Sequence, residues 1–205
     1  MSDFLANIHP DLAELLSFFV SVALLQNIIL TTGFGSSIML HMVKKPKSIW
    51  LFSAILGVFS VLTVVVAYPL DRYFGTAANN YWRPLMMVGI TVVLYIAVSL
   101  LLQWLLPDFY HRVSRLLPMA AFNNLVTGIA LVCNAHFGTN LAGNIGLAVG
   151  SALSFGILTW LTAEGMERMD NPDMPEAFRG APSTLLYVGL LALALMGFVS
   201  NFSLI

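Results

Sequence analysis

The stretch TTGFGSSIML, residues 31–40, places small and neutral polar residues inside a long apolar run. Gly33 and Gly35 weaken a helix, and the hydroxyls of Ser36 and Ser37 compete for its backbone hydrogen bonds. The ends of half-helices at such a break carry partial charges that can hold ions without charged side chains. The chemistry that this stretch offers is therefore binding by hydroxyl, amide and backbone groups.

A second polar cluster lies in AFNNLVTGIA, residues 121–130. Residues 30–33 and 125–128 both read L-x-T-G, and each follows closely on an asparagine. Amides facing lipid would lack partners, so both clusters are expected to point into protein or into a water-filled cavity. Two interpretations stay open, hydrogen bonding between helices and a neutral polar path. The predicted path consists of Asn27, Thr31, Ser37, Asn123, Asn124 and Thr127.

Other kinds of chemistry lack the residues that they need. The four histidines lie near the ends of apolar runs, and Cys133 is the single cysteine, so we expect no metal site within this chain. The sequence holds neither a nucleophile elbow nor a phosphate-binding loop. We therefore expect no catalysis by this chain alone and no cofactor that it binds alone. The net charge of −1 gives no reason to expect a nucleic-acid partner.

Composition places these residues in a membrane, since 59% of the chain is hydrophobic and only 9% is charged. Soluble domains carry about 25% charged residues. The uncharged runs are continuous, and the longest is interrupted by turn residues at 134–140. The sequence therefore predicts an all-α membrane protein with one membrane domain, 1–205. Its six predicted transmembrane helices cover 15–40, 48–70, 84–107, 116–133, 141–163 and 180–205.

Basic residues give the predicted orientation. Seven lie in the loops after spans 1, 3 and 5, and the loop between spans 2 and 3 holds only Arg72 and Arg83. By the positive-inside rule, the seven face the cytoplasm and both termini lie on the outer side of the membrane. The seven are Lys44, Lys45, Lys47, Arg112, Arg115, Arg168 and Arg179.

Span 5 carries small residues at every fourth position, which share one face of a helix. Small side chains at this spacing let a second helix approach closely. The predicted packing seam consists of Ala142, Gly146, Gly150 and Ser154. It is predicted to lie within the fold or against a partner subunit.

The segment 164–180 is the longest charged stretch and carries five acidic residues with Arg168 and Arg179. A solvated loop and a docking surface for a peripheral subunit are the two interpretations of this segment.

Three longer motifs resemble one family. QNIILTTGFGSSIMLHMVKK (26–45) is similar to the first-helix motif of the Rnf/Nqr membrane subunits of the RnfA/NqrE type. LPMAAFNNLVTGIAL (117–131) resembles the fourth-helix motif of that family, and MPEAFRGAPSTLLYVGLLALALMGF (174–198) resembles its C-terminal segment.

This resemblance implies two inverted three-helix repeats, about 12–107 and 108–205, with broken helices 1 and 4. It implies a paralogous membrane subunit of opposite topology as partner, along with other Rnf/Nqr-like subunits in a bacterial or archaeal inner membrane. Such complexes move electrons from ferredoxin or NADH to another carrier while pumping Na⁺ or H⁺. The expected function is that of an integral membrane subunit in such a translocase.

The sequence departs from the family at two positions. The resemblance implies two cysteines that help to hold a 2Fe–2S cluster, and these positions are occupied by Ser37 and Asn124. Thiolates suit such clusters because they are soft and anionic, and an alcohol or an amide replaces them poorly. Cys133 lies about 13 Å beyond Asn124 along a helix.

Three interpretations follow from this departure. The chain is a subunit that has lost its cluster ligands, or its complex routes electrons away from the membrane midplane. Alternatively, the fold serves an ion or small-molecule transporter or a membrane-structural protein.

Overall fold

The computed structural model describes residues 33–74, 81–136, 141–169 and 179–202, together with isolated positions between 12 and 29 and at 175. Every regular element within these residues is helical. The helices, in chain order, are α1 Ser36–Met42, α2 Ile49–Phe74, α3 Arg83–Leu105, α4 Pro107–Val113, α5 Leu116–Ala121, α6 Asn124–His136, α7 Leu141–Met169 and α8 Ala181–Phe202. A short 3₁₀ helix, Pro46–Ser48, leads into α2.

Four segments of the described chain are long and apolar enough to cross a membrane. They are Pro46–Leu70, Arg83–Leu105, Leu116–Cys133 and Leu141–Met169, and Pro182–Leu195 in α8 is a shorter apolar segment. The four segments match the predicted spans two to five, and the shorter apolar segment of α8 lies within the predicted sixth span. The all-helical membrane class is confirmed. Half of the predicted first span, including Asn27 and Thr31, lies outside the described residues.

Two helix ends show why their boundaries fall where they do. The helix α3 ends at Leu105 because Pro107 restricts the preceding Leu106, which adopts φ −142° and ψ 68°. The helix α7 continues six residues beyond the predicted end at residue 163. Its last turns carry an ion pair between Glu164 and Arg168 at 3.1 Å, one helical turn apart, which favours the helix in water.

The helices α2 and α7 form the centre of the bundle. Phe52 and Phe155 are both fully buried, and their ring centroids are 5.5 Å apart. The Ser53 hydroxyl donates to the backbone carbonyl of Ala152 at 2.6 Å, which joins the two helices by a polar contact. In the most apolar part of α7, 67% of the residues are buried within the bundle, whereas in the corresponding part of α3 only 17% are buried. Thus α7 is a core helix, and α3 lies at the periphery.

Four buried hydroxyls of the bundle are bonded within their own helix, whereas four others, those of Ser60, Thr63, Ser99 and Ser154, have no hydrogen-bond partner among the described residues. Thr91, Ser151, Thr159 and Thr162 each donate to the carbonyl four residues earlier, at 2.6–2.7 Å. This bonding removes the need for water, which the hydrocarbon core of a bilayer does not supply.

Candidate functional site at the broken helices

The two polar clusters predicted from the sequence meet in the structure. The backbone N–H of Gly35 donates to the Oδ1 atom of Asn124 at 2.9 Å, across 89 residues of sequence. The helix α1 begins at Ser36 and α6 begins at Asn124, so this bond joins the residue that precedes one half-helix to the first residue of the other. The structure therefore forms one junction, the broken-helix junction, from residues 33–37 and 122–128.

Glycine produces the break before α1. Gly33 and Gly35 have φ of 73° and 80°, a left-handed conformation that L side chains rarely adopt. A Cβ atom on Gly35 would lie 3.4 Å from the Cβ of Leu125 and 3.5 Å from the Oδ1 of Asn123. These are ordinary van der Waals contacts, so the left-handed backbone angle is what favours glycine at position 35.

Asparagine produces the break between α5 and α6. The helix α5 ends at Ala121, and Phe122 leaves helical geometry with φ −88° and ψ 19°. The Oδ1 atom of Asn123 accepts from the N–H of Leu125 at 3.0 Å, which caps the new helix. The predicted break in the fourth span is thereby found in the structure.

An aromatic ring closes the junction from the side of α1. A Cβ atom added to Gly128 would collide with the ring of Phe34, so the ring lies directly on the backbone of α6. The glycine of the second L-x-T-G motif therefore serves close packing between the two half-helices.

The residues of the predicted polar path differ in burial, since some lie inside the helix bundle and others on its surface. Asn123 is 1% exposed, and its Nδ2 atom has no hydrogen-bond partner among the described residues. Ser37 and Asn124 are exposed, and Thr127 is half-buried with its hydroxyl 3.3 Å from the carbonyl oxygen of Asn124. Asn27 and Thr31 lie outside the described residues, so whether the six form one path stays a prediction.

The predicted seam on α7 contains one close approach of backbones. A Cβ atom on Gly146 would collide with the backbone carbonyl of Leu15. The backbone at residue 15 therefore lies so close to α7 that position 146 has no room for a side chain. Gly150 and Ser154 are buried and Ala142 is half-buried. The role of the whole seam in assembly stays a prediction.

A second small-residue face, missed in the sequence, joins α7 to α2. A Cβ atom on Gly57 would lie 3.0 Å from the Cβ of Ala152, and one on Gly156 would lie 2.9 Å from the Oγ of Ser53. Ala152 and Gly156 are four residues apart, so the spacing that revealed the seam also marks this face.

The described part of the chain offers few side chains that could bind a metal ion together. No group of three or more His, Cys, Asp or Glu side chains could hold a metal ion there. Cys133 is buried, and its Sγ lies 3.9 Å from the backbone carbonyl oxygen of Asn144. This thiol therefore packs between α6 and α7, away from the exposed Asn124.

The fold and the junction define a helical membrane protein with several spans and a helix broken at a polar junction. The chain belongs to the Rnf-Nqr subunit family of membrane proteins, whose family model matches residues 15–201.

Its relatives carry a more specific name, that of the A subunit of the ion-translocating oxidoreductase complex. The protein of this name from Pasteurella multocida is 29% identical over 190 residues, which cover 91% of this chain and 97% of that protein. The one from Histophilus somni strain 2336 is 30% identical over 182 residues, covering 87% and 93%. The one from Azoarcus sp. strain BH72 is 30% identical over 195 residues, covering 91% and 97%.

Proposed function

We propose that this chain is an integral membrane subunit of an ion-translocating oxidoreductase complex, in the position that these relatives occupy in theirs. The observation that carries the proposal is the similarity to proteins of that name along nearly the whole length of both chains. The broken-helix junction supports it, because matched helix breaks are the device by which membrane transport folds form a site.

The proposed partner at the junction is a paralogous membrane subunit of opposite topology. Ser37 and Asn124 are polar and exposed, whereas Asn123 beside them is buried. Polar side chains at membrane depth are stabilised by another protein surface and not by lipid. We therefore propose that the face bearing Ser37 and Asn124 packs against this partner. Two inverted three-helix repeats in each subunit would then align the breaks across the interface.

We further propose that this chain supplies no ligand to an iron–sulfur cluster. The side chains at the two family positions are an alcohol and an amide, which bind iron poorly. The Oδ1 of Asn124 already accepts a hydrogen bond from the N–H of Gly35, which supports a structural role for this side chain. Any cluster at this interface would be held by residues of the partner.

The proposed location is the inner membrane, with both termini on the outer side. The charge asymmetry supports this orientation, with seven basic residues in the loops after spans 1, 3 and 5.

Purification through a tag on this chain in mild detergent tests the proposal. We expect the eluate to contain flavin- or cluster-bearing subunits and a second polytopic subunit, identified by mass spectrometry. Iron and acid-labile sulfide are measured in the same sample. We expect both to be unchanged in a complex carrying Ser37→Ala and Asn124→Ala.

Two outcomes would contradict the parts of the proposal separately. Recovery of this chain alone or as a homodimer, without redox subunits, would favour a transporter or a membrane-structural protein. Loss of iron in the double variant, with the same subunits present, would show that this chain does contribute to a cluster.

A further inference from the structure

A cleft of about 660 Å³ is lined by residues that do not belong to the broken-helix junction. Its walls come from residues 40–46 around the end of α1, residues 160–169 of α7 and residues 179–184 at the start of α8. Pockets for small ligands have volumes of about 300–1,000 Å³, so this α7–α8 cleft is large enough for a lipid headgroup with its glycerol.

The residues that line the cleft carry charges of both signs. Lys44 lies on the wall after α1 and Arg179 lies before α8, whereas Glu164 and Glu167 lie on α7. The ion pair of Glu164 with Arg168 is exposed and is therefore weak enough to exchange for another cation. A purely anionic ligand would meet two carboxylates here, and a purely cationic ligand would meet Lys44 and Arg179.

The position of the cleft along the spans adds a second constraint. It lies where two membrane segments, Pro46–Leu70 and Leu141–Met169, reach their ends, which is the depth of lipid headgroups. Trp160 lines the cleft about 13 Å along α7 from Met169, and is 45% exposed. Tryptophan at this depth is typical of the membrane interface.

We propose that the α7–α8 cleft binds the headgroup of a zwitterionic aminophospholipid, of the phosphatidylethanolamine class. Lys44 binds the phosphate, and Glu167 with Glu164 accepts hydrogen bonds from the primary ammonium. Trp160, which lies deeper along α7 than the two carboxylates, contacts the glycerol and the first methylenes of the acyl chains. The cleft shares no residue with the broken-helix junction, so this proposal goes beyond the proposed function.

Quenching of Trp160 by brominated lipids tests the proposal in nanodiscs. The full chain carries Trp50→Phe, Trp82→Phe and Trp104→Phe, so Trp160 is the remaining fluorophore. Three brominated lipids are titrated into a phosphatidylcholine bilayer: phosphatidylethanolamine, phosphatidylcholine and phosphatidylglycerol. Phosphatidylcholine is the matched probe, because it has the same phosphate but its quaternary ammonium has no N–H to donate.

We expect brominated phosphatidylethanolamine to reach half-maximal quenching at a mole fraction about threefold lower than the other two, as exposed ion-pair energies allow. Glu164→Gln with Glu167→Gln should bring this ratio to about one. Asp108→Asn, an exposed carboxylate outside the cleft, should leave it unchanged. A chain that retains only Trp104, which is 86% exposed on α3, should be quenched equally by all three lipids.

Equal quenching of Trp160 by all three lipids would overturn the proposal, and stronger quenching by phosphatidylglycerol would assign the cleft to an anionic headgroup. The comparison of lipids with the unaltered cleft needs no substitution in its walls, so a folding defect of the glutamine variant cannot obscure it.

Discussion

A single hydrogen bond ties together two segments that lie far apart in the sequence. The N–H of Gly35 has no partner within α1, because it precedes the first turn, and it reaches the Oδ1 of Asn124 instead. Gly35 is buried, so water cannot easily replace this acceptor. The amide side chain thus satisfies a backbone donor that the break itself creates.

Substitution Asn124→Leu should therefore lower the free energy of unfolding by about 1–3 kcal/mol, the cost of a buried donor left without a partner. Asn124→Asp keeps an oxygen acceptor at the same position and should cost less. Unfolding by denaturant in detergent micelles, followed by circular dichroism, measures both variants. Equal stability of the leucine variant and the unaltered chain would show that another group or a lipid replaces the bond.

The ring of Phe34 makes Gly128 intolerant of even one added methyl group. We expect Gly128→Ala to destabilise the chain by about 1–3 kcal/mol, because the Cβ atom and the ring cannot both keep their places. Phe34→Leu removes most of the ring and should make the same alanine substitution less costly. A double-mutant cycle measures this coupling, and strictly additive losses would contradict the packing.

At the scale of helices, small residues determine how closely two axes approach. The helices α2 and α7 meet at Gly57, Ala152 and Gly156, and the Ser53 hydroxyl bonds to the α7 backbone at this contact. In a bilayer, helices gain little from the hydrophobic effect, so such close packing carries much of their association.

Gly57→Leu should consequently separate α2 from α7 and reduce the yield of folded chain, with a loss of roughly 1–3 kcal/mol or more. The matched control is Gly89→Leu on α3, where an added Cβ meets nothing within 4 Å. Size-exclusion profiles and thermal melting of the two variants in detergent give the comparison. Similar behaviour of both would mean that α2 and α7 can move apart without penalty.

The sequence predicted the helical class and the position of most spans, because uncharged runs of sufficient length have few other structures in lipid. The polar cluster at Asn123 and Asn124, together with the family resemblance, also predicted a break in the fourth span, and the structure has the break there. The continuation of α7 to Met169 was missed, because the Glu164–Arg168 pair stabilises a helix outside the apolar run.

Contacts between helices were harder to predict than the helices themselves. Periodic spacing identified small residues on α7, but it cannot say which helix packs on which face. Gly146 contacts residue 15, and the neighbouring face contacts α2. The shared L-x-T-G pattern with its preceding asparagine suggested that the two regions meet. The contact itself is seen only in the structure, as the hydrogen bond from the N–H of Gly35 to Asn124.

At the scale of the whole molecule, α3 shows how the bundle sits in lipid. Tyr81 and Trp82 at its start are 93% and 63% exposed, and Trp104 at its end is 86% exposed. Trp82 and Trp104 are separated by about 33 Å along the helix, close to the thickness of a hydrocarbon core. Aromatic side chains at both ends of an exposed apolar helix are typical of a lipid-facing span.

The same helix provides the test of membrane orientation. Tyr81 begins the segment that holds Arg83, on the side with few basic residues, and Lys47 lies in the basic loop before α2. We expect Tyr81→Cys to react with a membrane-impermeant maleimide in intact spheroplasts. Lys47→Cys should react only after the membrane is opened, because positively charged loops are retained in the cytoplasm. Cys133 is 1% exposed, so the unaltered chain serves as a control with little background labelling. Labelling of Lys47→Cys from outside would show that the orientation is opposite to the predicted one. The α7–α8 cleft, whose wall includes Lys44, would then lie at the outer surface.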